Sequence, residues 1–156
     1  MNPTVISTDS QQIVKKPYIR PIAIAIIRRD NHILVFEGID RATGEIFHRP
    51  LGGGIDFGEK AYDTIHREFV EELGLELKGV KLKGIVENIF NWDAKDKHEI
   101  TFVFDGEFKD AAQYKHDRFR IHEPYFTKPN YAIWRSIEDF KSGKTVLYPK
   151  EIVEWL

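Results

Sequence analysis

The sequence predicts an α/β fold whose sheet is mixed or mostly antiparallel. Three observations carry that expectation. Apolar, β-branched runs come in pairs separated by short polar turns, the pattern of hairpins. One segment in the middle of the chain has helical periodicity and a glycine stop. The last third repeats strand-like and short helix-like pieces with no sign of a second domain or an internal repeat. The 156 residues are 42% hydrophobic and 31% charged, which suits one folded domain with a real core.

In chain order, residues 1–16 are polar and are expected to form a flexible arm, with a single domain over residues 17–156. "PIAIAIIRR" reads as a buried strand, and "NHILVFEGI" as its hairpin partner across a short turn. "IFHRPL" is a short extended piece. "GGGIDFGE" is a glycine-rich loop, and "KAYDTIHREFVEELG" a helix ending at Gly74. "GVKLKGIVENIFNW" and "HEITFVFDGEF" flank the polar turn "DAKDK" as a second hairpin. Residues 109–130 read as a long irregular loop, the kind that is often functional. "YAIWRSI" is the final strand, "EDFKSG" a helical turn, and "PKEIVEWL" a terminal helix opened by Pro149.

Composition excludes several function classes. The net charge is −2 with no dense basic run, so long-range attraction to nucleic acid or an anionic membrane is not expected. With no cysteine, disulfides and thiolate metal sites are ruled out. The N-terminal residues lack the apolar core of a signal peptide, and no run is long enough to span a bilayer. A cytoplasmic location is the expectation.

The central helix poses the chemical question. On a wheel of about 100° per residue, Ala61, Ile65, Phe69 and Leu73 form the core-facing stripe. Glu68 and Glu72 border that stripe, and Glu71 lies further out on the same flank. Like charges at this spacing repel, and carboxylates beside a buried face need compensation. A solvated acidic face neighboured by Arg67 and Lys60 is one answer. A hard divalent cation with oxygen ligands, magnesium or manganese, is the other. The preceding loop "LGGGIDFGE", with four glycines in nine residues, favours the cation, because glycine lets a carbonyl or amide approach an ion or a phosphate.

Residues 53–75, "GGIDFGEKAYDTIHREFVEELGL", resemble the Nudix box, GX5EX7REUXEEXGU with U bulky and apolar. Gly53, Glu59, Arg67, Glu68, Glu71, Glu72 and Gly74 are in register, with Leu75 at the last apolar position and Phe69 at the other. Leu51 stands directly before the two glycines, where the family often has proline; Pro50 is shifted by one. The resemblance implies a Nudix α/β/α sandwich with a mixed β-sheet. It implies magnesium-dependent hydrolysis of a nucleoside diphosphate linked to another moiety, with water attacking phosphorus. It further implies that Glu68 and Glu72 are the main metal ligands, Glu71 a further or water-mediated one, and the Gly52 carbonyl an additional approach. By the same resemblance, Arg67 is expected to orient the glutamates and Glu59 to brace loop to helix.

Other roles are open at the level of sequence. The general base is Glu68 or Glu71 in the box, Glu123 before the last strand, or Glu99 at a strand end; the alternative for Glu99 and Glu123 is surface charge. His98 reads as a hydrogen-bonded strand-end residue. Arg49, next to the glycine loop, suits phosphate binding through its fork of donors, with a surface arginine as the alternative. Trp92 and Phe90 could stack a base, although aromatics in a hairpin are more often core. The post-box proline associated with ADP-ribose-type members is missing, since none occurs between Leu75 and Pro124. The expected partner is a small nucleotide or nucleoside-diphosphate derivative, with a homodimer compatible. The competing reading is a non-catalytic, nucleotide-sensing Nudix domain. An acidic-helix interaction protein is disfavoured by the glycine loop.

Overall fold

The computed structural model describes residues 16–156, so the expected N-terminal arm lies outside the described residues except for Lys16. The strands are β1 (Arg20–Arg29), β2 (His32–Ile39), β3 (Ile46–Gly54), β4 (Leu77–Trp92), β5 (Lys95–Phe108), β6 (Arg118–Ile121), β7 (Asn130–Ser136) and β8 (Val146–Leu147). The α-helices are α1 (Ala61–Leu73) and α2 (Ile137–Lys141), joined by 3₁₀ turns at Ala111–Lys115 and Lys150–Trp155.

Strand β1 is central, and its composition explains why. Ile22, Ile24 and Ile26 belong to one hydrophobic cluster, and Ala23, Ala25 and Ile27 to another; all six are buried. A strand covered on both faces reads as an unbroken apolar run instead of an alternation. It pairs in parallel with β5 and antiparallel with β3. The sheet runs β4-β5-β1-β3-β2-β7-β6, with β8 parallel to β3. Strand β3 changes partner along its length: residues 46–50 pair with β2, residues 51–54 with β1.

On the Ala23/Ala25 face, α1 buries Ile65 and Phe69 in a cluster with Phe104, Phe108 and Trp134. Burial of side chains this size contributes about 1.5–3 kcal/mol each. Leu73, the last residue of the expected stripe, is half-buried against the same cluster. The helix ends where Gly74 takes a left-handed φ of 67°, its N–H reaching the Val70 carbonyl. On the opposite face, Ile137 and Phe140 of α2 and Ile152 pack on Ile22, Ile24 and Ile26. Helical elements therefore cover both faces of a mixed sheet, as expected of the α/β class.

Three expectations are corrected. Residues 52–54, expected in the glycine-rich loop, complete strand β3 and pair with β1. Residues 109–130 are not one irregular loop. The Ala111–Lys115 turn and strand β6 lie within it, and β6 pairs with β7 through Phe119 and Ile121, both buried. With four residues and alternating burial, β6 is too short to announce itself in sequence. The C-terminal helix is a 3₁₀ segment that Pro149 precedes as its cap. The β4–β5 hairpin matches its prediction but turns more tightly. Asp93 and Ala94 alone make the turn, both with positive φ (50° and 59°), the pair of left-handed residues that a two-residue hairpin requires. Among the described residues no helix is long and apolar enough to cross a membrane.

Candidate active site

The site forms where the end of β3, the glycine loop and α1 meet. Arg67 is its hub. Its Nε donates to Glu59 Oε2 (2.7 Å) and its Nη2 to Glu59 Oε1 (2.9 Å), a two-pronged pair. Nη2 also donates to the Gly54 carbonyl (3.1 Å), and Nη1 to Glu68 (3.1 Å) and Glu71 (3.0 Å). The buried Thr64 hydroxyl donates to the same Glu59 oxygen. Arg67 first and Thr64 second hold the Glu59 carboxyl down to about 2. Glu59 is thus the loop-to-helix brace that the sequence suggested. Thr64 belongs to the brace too, and sequence reasoning missed it; a polar residue beside Ile65 on the core side was the available signal.

The carboxylates that border the core stripe have the opposite problem. Burial comes first in raising the Glu72 carboxyl to about 8, followed by repulsion from Glu68, Glu123 and Glu71. The Glu68 carboxyl is raised as well, again chiefly by burial, with Arg67 opposing the rise. The glycines explain how Glu68 reaches the loop. A Cβ on Gly53 would collide with the Glu68 carboxylate, so any larger residue would push that side chain out of its present position. Gly52 has φ 151°, and a Cβ there would lie 2.0 Å from the Ala23 carbonyl oxygen of the neighbouring strand. Glu71 is more exposed and faces Arg67.

Glu72 opens into a small cleft of about 150 Å³ that it shares with Gly52, Gly53, Arg20, Arg49 and Glu123. Glu123 reaches it because the backbone N–H of His122 donates to the Glu72 carbonyl (2.7 Å), tying the loop after β6 to the end of α1. Phe126 of the same loop stacks on Phe36 (5.8 Å between centroids, 16° between planes) and lines the cleft wall.

The other candidates separate from this cluster. Glu99 is buried and accepts from Arg49 Nη2 at 2.8 Å, so it is not surface charge, and its contacts are arginines. Arg49 is half-buried and lines the cleft, so it is not a plain surface arginine either. His98 pairs with Glu87 (2.9 Å), the strand hydrogen bond expected of it. Trp92 and Phe90 line a larger adjoining groove of about 1,090 Å³. Trp92 is 41% exposed and meets Phe47 edge-on, which removes it from the core.

The donor set fits a hard divalent cation. Glu71 and Glu123 add to the burial that raises the Glu68 and Glu72 carboxyls, and Glu68 raises Glu72 further, the situation that a bound cation relieves. Among the described residues no three such groups stand as a closed ligand cage. Arg67 draws Glu68 and Glu71 towards itself, so cation and guanidinium compete for the same oxygens.

Comparison with known proteins gives one family. The NUDIX domain profile matches residues 18–156. Among curated proteins, the NAD-capped RNA hydrolase NudC of Enterobacter sp. (strain 638) is 35% identical over 65 residues, 42% of this chain and 24% of that protein. NudC of Pseudomonas syringae pv. syringae (strain B728a) is 32% identical over 68 residues, 44% of this chain and again 24% of the relative. The match thus spans about a quarter of these relatives' length. Among solved structures, a NUDIX hydrolase from Nitrosomonas europaea superposes with a TM-score of 0.59 at 22% identity, covering 89% of this chain and 85% of that one. Its likeness is one of fold.

Proposed function

Because the chain belongs to the NUDIX hydrolase family, we propose that it hydrolyses the diphosphate linkage of a small nucleoside-diphosphate derivative with the help of magnesium or manganese. The observation that carries this reading is the crowding of Glu68, Glu71, Glu72 and Glu123, which with burial raises the Glu72 and Glu68 carboxyls, beside a cleft lined by Glu72, Glu123, Gly52 and Gly53. Glu68 and Glu72 would hold the ion, with Glu71 and the Gly52 carbonyl as further ligands. When bound, the ion supplies charge neutralisation on the diphosphate and a water of lowered pKa.

The chain's own residues supply the rest. Arg67 holds Glu68 and Glu71 in place from one side, and the Glu59–Thr64 brace fixes Arg67 in turn. Glu123 lines the cleft beside Glu72 and is not among the hydrogen-bond partners of Arg67, which supports it over Glu68 and Glu71 as the carboxylate that takes the proton of the attacking water. Arg49 meets the phosphates, and Trp92 offers a face to the organic moiety. The curated relatives are named for NAD-capped RNA; the diphosphate linkage is the part of that chemistry assigned to this chain, because its net charge of −2 offers RNA no general attraction.

The experiment is phosphate or nucleotide release from a panel of nucleoside diphosphate derivatives, with magnesium, with manganese and with chelator. Metal-dependent turnover of at least one compound is the expected result. Saturable nucleotide binding without turnover on any of them would establish a sensing domain instead.

A further inference from the structure

Glu99, expected at a strand end, lies inside β5 in a setting unusual for a carboxylate. Its side chain is 6% exposed, and it lies opposite Arg20 in the parallel β1–β5 ladder. Arg49 Nη2 stands 2.8 Å from one of its oxygens and Arg20 Nη1 3.8 Å from the other. Two guanidinium groups therefore share one carboxylate, so Glu99 alone does not neutralise both.

The location gives the two arginines a purpose. Arg20 and Arg49 both line the small cleft with Glu72, and both also line the large groove. Arg20 reaches over Gly54: a Cβ there would lie 3.3 Å from Arg20 Nη2. Gly54 adjoins Gly53, on which the Glu68 carboxylate rests. The pair thus stands at the passage between the acidic cleft and the groove. The cleft, at about 150 Å³, is too small for a nucleoside, whereas the groove, at about 1,090 Å³, is large enough for a whole organic ligand. Its walls carry Phe47, Trp92 and Tyr148 beside the amides of Asn88 and Asn91.

We propose that Arg20 and Arg49, aimed by the buried Glu99, form a diphosphate clamp separate from the helix carboxylates. It grips the phosphate that is not being attacked and sends the attached aromatic moiety into the groove. Glu99 is then a positioning residue and not the general base. The assignment rests on the hydrolytic reading above for the direction of the substrate, but the clamp itself is an anion site and is tested without turnover.

Metal-free protein is titrated calorimetrically at low ionic strength with methylenediphosphonate, a diphosphate that cannot be hydrolysed. Wild-type protein binds it, with affinity that falls as salt rises. Arg20→Ala and Arg49→Ala each weaken binding about tenfold or more, Arg49→Lys by less than Arg49→Ala, and Glu99→Gln severalfold. Trp92→Ala leaves this sugar-free ligand unaffected. Thermal unfolding confirms that each variant is folded, and Arg49→Lys, which keeps a cation beside Glu99, covers the case in which Glu99→Gln is not. Absence of binding by wild type, or equal binding by the arginine variants, overturns the clamp. With magnesium and a turned-over nucleotide, Glu99→Gln raises KM and leaves kcat within about twofold. A loss of kcat of about 10² or more at unchanged KM makes Glu99 the base and overturns its positioning role. If no nucleotide is turned over by wild type while the diphosphonate still binds through the arginines, the hydrolytic reading fails and the clamp stands.

Discussion

Glu59 and Glu72 lie in the same loop–helix unit around Arg67, yet one carboxyl is held down to about 2 and the other is pushed up to about 8. Glu59 meets a two-pronged guanidinium and a hydroxyl, so its charge is satisfied within the fold. Glu72 is taken from water and placed among three more carboxylates, so its charge waits for something from outside. The contrast separates acids that build the site from acids that the site displays. It also ranks what each substitution does: changes on the brace should cost stability, and changes in the cleft should cost activity.

The largest expected effect lies in the cleft. Glu68→Gln keeps the side chain's volume and should lower turnover about 10²–10⁴-fold, with Glu123→Gln comparable if it is the base. The same Glu68→Gln protein should unfold, without metal, at the same temperature as wild type or slightly higher, because a repulsion is removed. An active Glu68→Gln enzyme would collapse the distinction. On the brace, Arg67→Met leaves Glu59 half-buried with no guanidinium; denaturant titration should show a loss of about 2–3 kcal/mol, less than for a fully buried pair because Arg67 is 27% exposed.

The two acids also impose opposite pH slopes. A folded Glu72 raised to about 8 from 4.5 binds a proton that the unfolded chain has released. Its contribution is therefore complete below 4.5 and is lost as pH rises through about 8. Metal-free protein should lose about 1–3 kcal/mol across that window, a figure reduced for the partial exposure of Glu72. Thermal melts at a series of pH values should show the decline, and Glu72→Gln should flatten it. Excess magnesium should reverse it, since a ligand of the folded state stabilises that state and binds deprotonated carboxylates best. Glu59, lowered from 4.5 to about 2, stabilises above 4.5, and its contribution goes as pH falls towards 2. The smallest effect serves as control. Lys109→Ala breaks only an exposed pair with Glu76, away from the cleft and the groove, and should change stability by less than about 0.5 kcal/mol and turnover not at all.

Much of this was legible in the sequence, because local pattern governs it. The strands of the two hairpins, the helix with its glycine stop, and the register of Glu59, Arg67, Glu68 and Glu72 depend on residues close together in the chain. What escaped depends on distant pairing. Arg20 begins a strand with nothing local to mark it, and meets Glu99 only because β1 and β5 run in parallel. Which charge a buried carboxylate such as Glu99 faces is not written in the sequence. Trp92 was weighed as core because hairpin aromatics usually are, but the β4–β5 arms extend to a turn that leaves it at a groove. Strand β6 was absorbed into a loop because four residues carry too little periodicity.

The exchange of partners along β3 has a mechanical result. Residues 46–50 are indexed by β2 and residues 51–54 by β1, and the seam falls between Arg49 and Gly52. A strand pinned by one neighbour can slip by one residue and turn every side chain over. Here a slip would have to occur against two neighbours at once, and each would hold the other's error in check. The distance from guanidinium to glycine carbonyl therefore behaves like a ruler fixed at both ends, and amide hydrogens on both sides of the seam should exchange together, at the slow rate of global unfolding.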